Sequence, residues 1–145
     1  MKLKMTQEER MLLIKDLSAR LPYAVTVEHT SGFRGTLHDM TVHHMYDDND
    51  NVYDAICYTD FFGDEDDIYI EYFKPYLFPL SSITTKQRYE LHDLIHNLNV
   101  LAINGEIGDW IVSSSEIDWY NKNHFDYRGL IEKGLAIDAT GKNIY

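Results

Sequence analysis

The hydrophobic period of the chain changes at Pro22, and this change constrains the possible folds more than any other feature. Apolar residues recur at helical spacing over 11–21, and Thr6 with Glu9 has the pattern of a capping box. The predicted solvent side of this helix carries Glu8, Arg10, Lys15 and Asp16. The residue before a proline is pushed out of the helical region, so we expect the helix to end there.

After Pro22, β-branched and aromatic residues dominate, and their period indicates strands. The predicted strands are 23–28, about 36–45, 52–59 and 68–73. Short connections between consecutive strands favour an antiparallel meander or a small barrel. The segment 74–80 contains Pro75 and Pro79, which lack an amide donor, so we expect it to lie outside any central strand.

Two further helices follow the predicted strands. One is expected near 85–102, beginning at Thr84 or Thr85, and one near 114–123, beginning at Ser113. Both would cover one face of the sheet. The residues that we expect to be buried are Cys57, Leu94, Ile95 and Leu98.

Composition supports one domain over residues 1–145. With 44% hydrophobic and 26% charged residues, the chain can form a single core. A brief third C-terminal helix, the fourth of the chain, would end at Gly134. The fold class is therefore α+β. Cys57 is the only cysteine, so no internal disulfide forms, and no run approaches the ~18 apolar residues of a membrane span. We expect a cytoplasmic protein without a cofactor.

Two segments carry a resemblance. KPYLFPLSSIT, residues 74–84, and HFDYRGLIEKGL, residues 124–135, together resemble a group of short uncharacterised proteins from Bacteroidetes genomes, prophages and mobile elements. The first segment departs from that group at Phe78, where an arginine is expected. The resemblance implies a bacterial, phage- or mobile-element context and assigns no catalytic or binding residue.

A second resemblance is topological. A helix followed by a twisted meander, with the sequence GFRGTLHD over 32–39 at the first turn, is similar to small SH3-like and Sm-like barrels. The resemblance implies a barrel of about four strands. Sm proteins place their aspartate one residue further from the leucine and follow it with an asparagine that this chain lacks.

The string His92-Asp93-Leu94-Ile95-His96 offers a possible metal site. Two histidines four residues apart on a helix share one face, as in zinc proteases. That pattern requires a glutamate as general base after the first histidine, where this chain has Asp93, and the sequence identifies no third ligand. A small enzyme or metal-dependent hydrolase using His92 and His96 is therefore the alternative hypothesis, and no metal is our expectation.

The charge distribution is one-sided. The whole chain has a formal charge of 13 − 24 = −11, and the segment 35–73 has no Lys or Arg. Its eleven acids are Asp39, Asp47, Asp48, Asp50, Asp54, Asp60, Asp64, Glu65, Asp66, Asp67 and Glu71. This balance disfavours direct binding to nucleic acid or to an anionic membrane, and it favours steered association with a basic protein.

The sequence therefore predicts an acidic protein-binding or inhibitory module rather than an enzyme. The candidate binding residues in its loops are Asp47, Asp48, Asp50, Asp64, Glu65, Asp66 and Asp67. Tyr127 and Arg128, in an aromatic C-terminal segment, are further candidates, although such a segment can equally pack on its own core. An enzyme should have a cavity with convergent polar groups, whereas a binder should have an acidic face with exposed aromatic residues. The sequence leaves the partner and the oligomeric state open.

Overall fold

The computed structural model describes residues 3–46, 51–59 and 66–145, with the backbone alone described over 43–46, 51–59 and 66–68. Within these ranges the fold is α+β, as predicted. The helices are α1 (Gln7–Arg20), α2 (Thr85–Ile103) and α3 (Asp109–Lys122). The strands are β1 (Thr26–His29), β2 (Arg34–Tyr46), β3 (Asn51–Thr59), β4 (Asp66–Tyr69), β5 (Phe73–Pro79), β6 (Phe125–Asp126) and β7 (Ile137–Asp138).

Helix α1 begins and ends as its sequence predicts. The Glu9 amide donates to the Thr6 hydroxyl at 3.1 Å, and the Thr6 amide donates to the Glu9 carboxylate at 2.9 Å. This capping box satisfies amides at the helix start that have no partner within the helix. After Arg20 the chain forms a short 3-10 turn that contains Pro22, so the expected helix end is confirmed.

The first four strands each pair antiparallel with the next one. The ladder between β2 and β3 has an irregularity between Leu37 and Asp39. The predicted fourth strand, 68–73, is split, because a 3-10 turn over Ile70–Tyr72 separates β4 from β5.

Strand β5 corrects a prediction. Residues 74–80 were expected outside a central strand, but β5 pairs antiparallel with β1 and parallel with the short strands β6 and β7. The Thr30 amide donates to the Tyr72 carbonyl, so the alternation of an antiparallel ladder places Pro75 in a non-hydrogen-bonded pair with β1. Pro79 is the last residue of the strand. Neither proline therefore removes a hydrogen bond between β5 and β1.

Helix α2 forms where it was predicted, but its environment differs. Its N-cap is Thr84, with Gln87 completing a capping box. It packs mainly on α3, and none of its residues is buried. The predicted burial of Leu94, Ile95 and Leu98 is therefore wrong, because these half-buried side chains have only one helix beside them. The Cys57 side chain lies outside the described residues.

The start of α3 also differs from the prediction. Gly108 is its N-cap, and Ser113 lies inside the helix rather than at its beginning. The link between α2 and α3 turns at Gly105, which adopts φ +76°, a conformation that glycine tolerates. Turns, and no helix, occupy the described segment before Gly134, where a brief helix was expected.

The core lies between α1 and the sheet. Its fully buried members include Leu13, Leu17, Val25, Val27, Leu37, Ile70, Phe73, Leu77 and Leu130. These residues come from α1, from the first part of the sheet and from the segment after α3. The pair of helices α2 and α3, here called the helical hairpin, contributes none of them.

Candidate protein-binding surfaces

Three acidic positions share one face of the sheet. Across the ladders, Asp39 of β2 lies opposite Tyr58 of β3, which lies opposite Asp67 of β4. Asp54 is four residues from Tyr58 on the same strand, and alternate strand residues share a face. Tyr69, which is 48% exposed, belongs to the same face through its pairing with Ile56. We call the positions Asp39, Asp54, Tyr58, Asp67 and Tyr69 the acidic face.

The two members of the acidic face with described side chains, Asp39 and Tyr69, are both exposed. Met40, the next residue after Asp39, packs against the core cluster, and Asp39 itself is exposed. One oxygen of the Asp39 carboxylate accepts the Met40 amide at 2.7 Å. Glu71 does not belong to this face, since it is buried and accepts a hydrogen bond from Arg10 at 2.6 Å.

The predicted acidic loops are only partly described. Of the seven acidic candidates, Asp47, Asp48, Asp50, Asp64 and Glu65 lie outside the described residues. Asp66 and Asp67 lie in β4, where Asp67 occupies the acidic face and Asp66, opposite Thr59, occupies the other face. Asp39 and Asp54, which were not among the candidates, can be recognised only from the strand register.

Tyr127 and Arg128 lie in a network that joins the C-terminal segment to α1. The Arg128 guanidinium donates to Asp16 at 3.1 Å and to the Tyr127 hydroxyl at 2.7 Å. The Tyr127 hydroxyl in turn donates to the Asn121 side chain at 2.9 Å. Both candidates are half-buried, so much of their hydrogen-bonding capacity is used within the chain.

Asp16 and Arg20 form the buried centre of this network. Arg20 donates to Asp16 at 2.7 Å and 3.1 Å and to the Phe125 carbonyl at 2.7 Å, and both side chains are fully buried. Asp16 was expected on the solvent side of α1, and that expectation is wrong. The guanidinium contacts compensate the burial of its charge.

A second set of contacts, here called the clamp, holds the C-terminal segment on the sheet. The Tyr145 hydroxyl donates to the Tyr76 carbonyl at 2.7 Å and accepts the Thr26 amide at 3.0 Å, and burial raises its pKa to about 12. Its ring stacks on His124 with centroids 3.6 Å apart. Burial, and secondly the positive charge of Arg20, lower the pKa of His124 to about 4.

The two segments that carry the family resemblance meet in the structure. Strand β5 pairs with β6, so that Phe78 lies opposite Phe125. Beside this pair is a cavity of about 320 Å³, whose lining includes Leu80, Tyr127 and Ile131. Asp126 also lines it, but both carboxylate oxygens accept backbone amides at 2.9 Å, which gives this acid a structural role.

A second cavity, of about 390 Å³, lies at the side of α2. Its lining includes Leu80, Ile83, Leu91 and Ile95, together with Tyr120. Burial, followed by the nearby Glu116 carboxylate, raises the pKa of Tyr120. Arg88 and His92 also line this second cavity, and Glu132 lines the first one. Among the described lining residues of the two cavities, Tyr120 is the group with a shifted pKa.

His92 and His96 lie on the exposed side of α2. Their rings are parallel within 3° and their centroids are 6.3 Å apart. Among the side chains that the structure describes, over 3–42 and 69–145, no group of three or more His, Cys, Asp or Glu residues could hold a metal ion. One chain therefore offers at this point two imidazoles, which is half of a tetrahedral site.

The helical hairpin exposes several large apolar residues. The most exposed are Tyr89 at 67%, Trp110 at 72% and Ile103 at 85%. Exposed apolar surface of this kind often marks an interaction site.

Comparisons of the chain with protein families, with curated proteins and with solved structures found no match. In the part of the chain that the structure describes, no helix is long and apolar enough to cross a membrane.

Proposed function

We propose that this chain is a protein-binding module that recognises a basic protein through its acidic face. The observation that carries the proposal is the strand register, which aligns Asp39 and Asp67 with Tyr58 on three adjacent strands. The same face includes Tyr69, an exposed aromatic residue among acidic positions. Tyrosine is enriched among the residues that dominate binding energy at interfaces.

Electrostatics gives this face a preferred class of partner. The segment 35–73 has eleven acids and no Lys or Arg, so no such side chain within it neutralises the face. The basic residue that the register places on this face is His43, opposite Asp54. The charge of the face attracts a positive surface over roughly a Debye length of ~8 Å at physiological salt. Such complementarity mainly raises the association rate and excludes acidic partners. A module of this kind can inhibit a nucleic-acid-binding protein by occupying the basic surface that holds phosphates.

The wider setting is part of the same proposal. The resemblance of residues 74–84 and 124–135 supports a phage- or mobile-element origin, and a single cysteine suits the cytoplasm. We also retain the small SH3- or Sm-like barrel as the proposed form of the curled sheet. Binding of RNA by analogy with Sm proteins is not proposed, because the charge of −11 opposes it.

The test removes charge from the acidic face and from a matched control surface. The variant Asp39→Asn/Asp54→Asn/Asp67→Asn loses three charges while side-chain shape is nearly kept. The control Glu106→Gln/Asp118→Asn/Glu132→Gln loses three exposed charges elsewhere. Partners are captured from a Bacteroidetes lysate, and association and dissociation rates are then measured with the purified captured protein and with a 20-residue Lys/Arg-rich peptide as a defined probe.

We expect the acidic-face variant to associate several-fold more slowly than the control variant at low salt, with similar dissociation rates. The difference should disappear near 1 M salt, where the screening length is ~3 Å. Equal association rates for the two variants at low salt contradict the proposal, because the loss of three charges would then have the same effect on the acidic face as on the control surface.

A further inference from the structure

An exposed side of α2 carries a regular stripe of uncharged residues, and at one edge it borders the cavity that reaches Tyr120 of α3. Its positions are spaced three, four, three and four residues apart, which is the spacing of a coiled-coil seam. We call Tyr89, His92, His96, Asn99 and Ile103 the outer stripe. Tyr89 and Ile103 are 67% and 85% exposed, and the His92 side chain is 77% exposed.

The opposite side of α2 has its own apolar stripe, which includes the half-buried Leu91, Leu94 and Leu98. That side accounts for the packing on α3. The helix therefore carries two seam-like faces and has a described neighbour on one of them. Two members of the outer stripe, Tyr89 and Ile103, are large exposed hydrophobic residues, so this face can pack against a second helix.

The charge of α2 argues against the basic partner proposed above as the occupant of the outer stripe. The charged residues of α2 are Lys86, Arg88, Glu90 and Asp93, so its formal charge is zero. A basic protein gains no electrostatic attraction from this helix. A second copy of the chain can approach along it without bringing the acidic strands together as the contact surface.

The two charged residues nearest the outer stripe indicate how a second copy would lie. Arg88 and Asp93 are exposed and flank the stripe on opposite sides. In a parallel pair of helices, Arg88 of one copy faces Asp93 of the second copy, and such flanking ion pairs set orientation in coiled coils. In an antiparallel pair of helices, the Arg88 side of one copy would instead face the Arg88 side of the second copy, and the two Asp93 sides would face each other.

We propose that α2 pairs in parallel with α2 of a second copy along the outer stripe, and that His92 and His96 of both copies bind one Zn²⁺-type ion. Each chain supplies two imidazoles one helical turn apart, and tetrahedral zinc takes four ligands at about 2.0–2.1 Å. Both rings are exposed, so they can rotate toward a shared ion. The site is incomplete without the second copy, and it uses a surface separate from the acidic face.

Analytical ultracentrifugation of the full chain, from 1 to 200 µM, tests the pairing in EDTA, in ZnCl₂ and in MgCl₂. We expect Zn²⁺ to raise the dimer association constant at least ~10-fold over EDTA, because an ion that binds only the dimer stabilises it by mass action. Mg²⁺, which prefers oxygen ligands, should have no effect. Isothermal titration should give one Zn²⁺ per two chains. A monomer at 200 µM with Zn²⁺, or one Zn²⁺ per chain without dimer, overturns the proposal.

Variants separate the seam from the metal. Ile103→Asp should weaken dimerisation at least ~10-fold, because it buries a charge in the seam. The control Ile117→Asp makes the same change at an exposed position of α3, and it should leave dimerisation unchanged. His92→Ala/His96→Ala should remove the response to Zn²⁺. Equal effects of the two aspartate variants, or a Zn²⁺ response that survives loss of both histidines, contradict the proposal.

A charge exchange tests the parallel orientation. Arg88→Glu and Asp93→Arg should each weaken the dimer, because each places like charges across the seam. The double variant Arg88→Glu/Asp93→Arg should recover the wild-type association constant. Circular dichroism checks that all variants keep their helix content. Failure of the double variant to recover association overturns the parallel arrangement.

Discussion

Helices α1 and α2 begin in the same way, yet they have opposite environments. Both have a threonine N-cap with a capping box, completed by Glu9 in α1 and by Gln87 in α2. Helix α1 buries five residues, including the charged Asp16 and Arg20, whereas the 19-residue α2 buries none. Caps and local propensity thus determine where a helix forms. The neighbours supplied by the rest of the fold determine what it buries.

The comparison also separates two uses of the C-terminal part of the chain. Beyond α3, residues such as Phe125 and Leu130 complete the core, and Arg128 reaches Asp16 of α1. The helical hairpin precedes these residues in sequence but adds nothing fully buried to the core. Substitutions near α1 should therefore affect folding, while those on the outer stripe should affect association.

The largest expected effect is on the buried ion pair. Arg20→Met leaves the Asp16 charge with Arg128 as its cation partner among the described residues and removes the contact with the Phe125 carbonyl. We expect a loss of about 3–5 kcal/mol in the free energy of unfolding, measured with urea. The control Lys86→Met, at an exposed position of α2 outside the outer stripe and its flanking pair, should change it by under ~0.5 kcal/mol. Similar losses for both variants would contradict the comparison.

Matched leucines give the next effect. Leu17 of α1 is fully buried, so Leu17→Ala should lower the free energy of unfolding by about 2–5 kcal/mol. Leu94 of α2 is half-buried, and Leu94→Ala should lower it by about 1 kcal/mol or less, because less area leaves water on folding. Chemical denaturation of the two variants measures both losses in the free energy of unfolding, so that they can be compared. A larger loss for Leu94→Ala would show that the hairpin is part of the cooperative core.

Acid should weaken the clamp around His124. Its folded pKa is about 4 and its ordinary value is 6.5, so the unfolded chain binds the extra proton between these values. The stabilisation from this group is present above pH 6.5 and is lost as the pH falls toward 4. Because the ring is partly exposed, we expect a loss of about 1–2 kcal/mol. His124 has φ 61°, which asparagine also tolerates, so His124→Asn should flatten stability over this pH range. If the free energy of unfolding of His124→Asn falls with pH as steeply as that of the wild type, His124 is not the group responsible.

The smallest effect concerns the Tyr145 hydroxyl. Tyr145→Phe keeps the ring on His124 but removes the hydrogen bonds with Thr26 and Tyr76. A loss of about 0.5–1.5 kcal/mol in the free energy of unfolding is expected. The control Tyr89→Phe, on the outer stripe, should leave the monomer unchanged. Thermal denaturation at low protein concentration gives the melting temperatures of the two variants. Equal decreases in melting temperature would mean that the Tyr145 hydroxyl does not specifically stabilise the C-terminal segment.

The sequence predicted well what depends on neighbouring residues. The capping box at Thr6, the helix end near Pro22 and the start of α2 at Thr84 follow from local hydrogen bonding and local sterics. The first three strands after Pro22 were found because their period is visible in short windows, whereas the fourth was found only in part. Most observed strand ends differ from the predicted ones by a few residues, because turns and fraying determine where a strand ends.

Several failures involve distant partners, whereas the start of α3 at Gly108 and the turns before Gly134 are local ones. The pair of Asp16 with Arg20 is local, but Asp16 also accepts from Arg128, 112 residues away, and no local pattern contains that contact. Pro75 is tolerated in a paired strand because of its register with β1. The acidic face likewise follows from the pairing between strands and not from the runs of acidic residues. The degree of burial of Leu94 depends on which elements pack beside α2.

The position of β5 has a consequence for how the chain reaches its fold. The strand pairs with β1, whose Val27 lies 48 residues before Pro75, and with β6 and β7, whose partners lie 47 to 61 residues after it. Contacts this far apart in sequence close large loops, which slows folding relative to helical proteins of similar size. Strands β1 to β4 can pair with their neighbours early, but the sheet reaches its full width only after β5 has met both ends of the chain. A fragment that ends before Phe73 should therefore expose the β1 edge and aggregate during refolding.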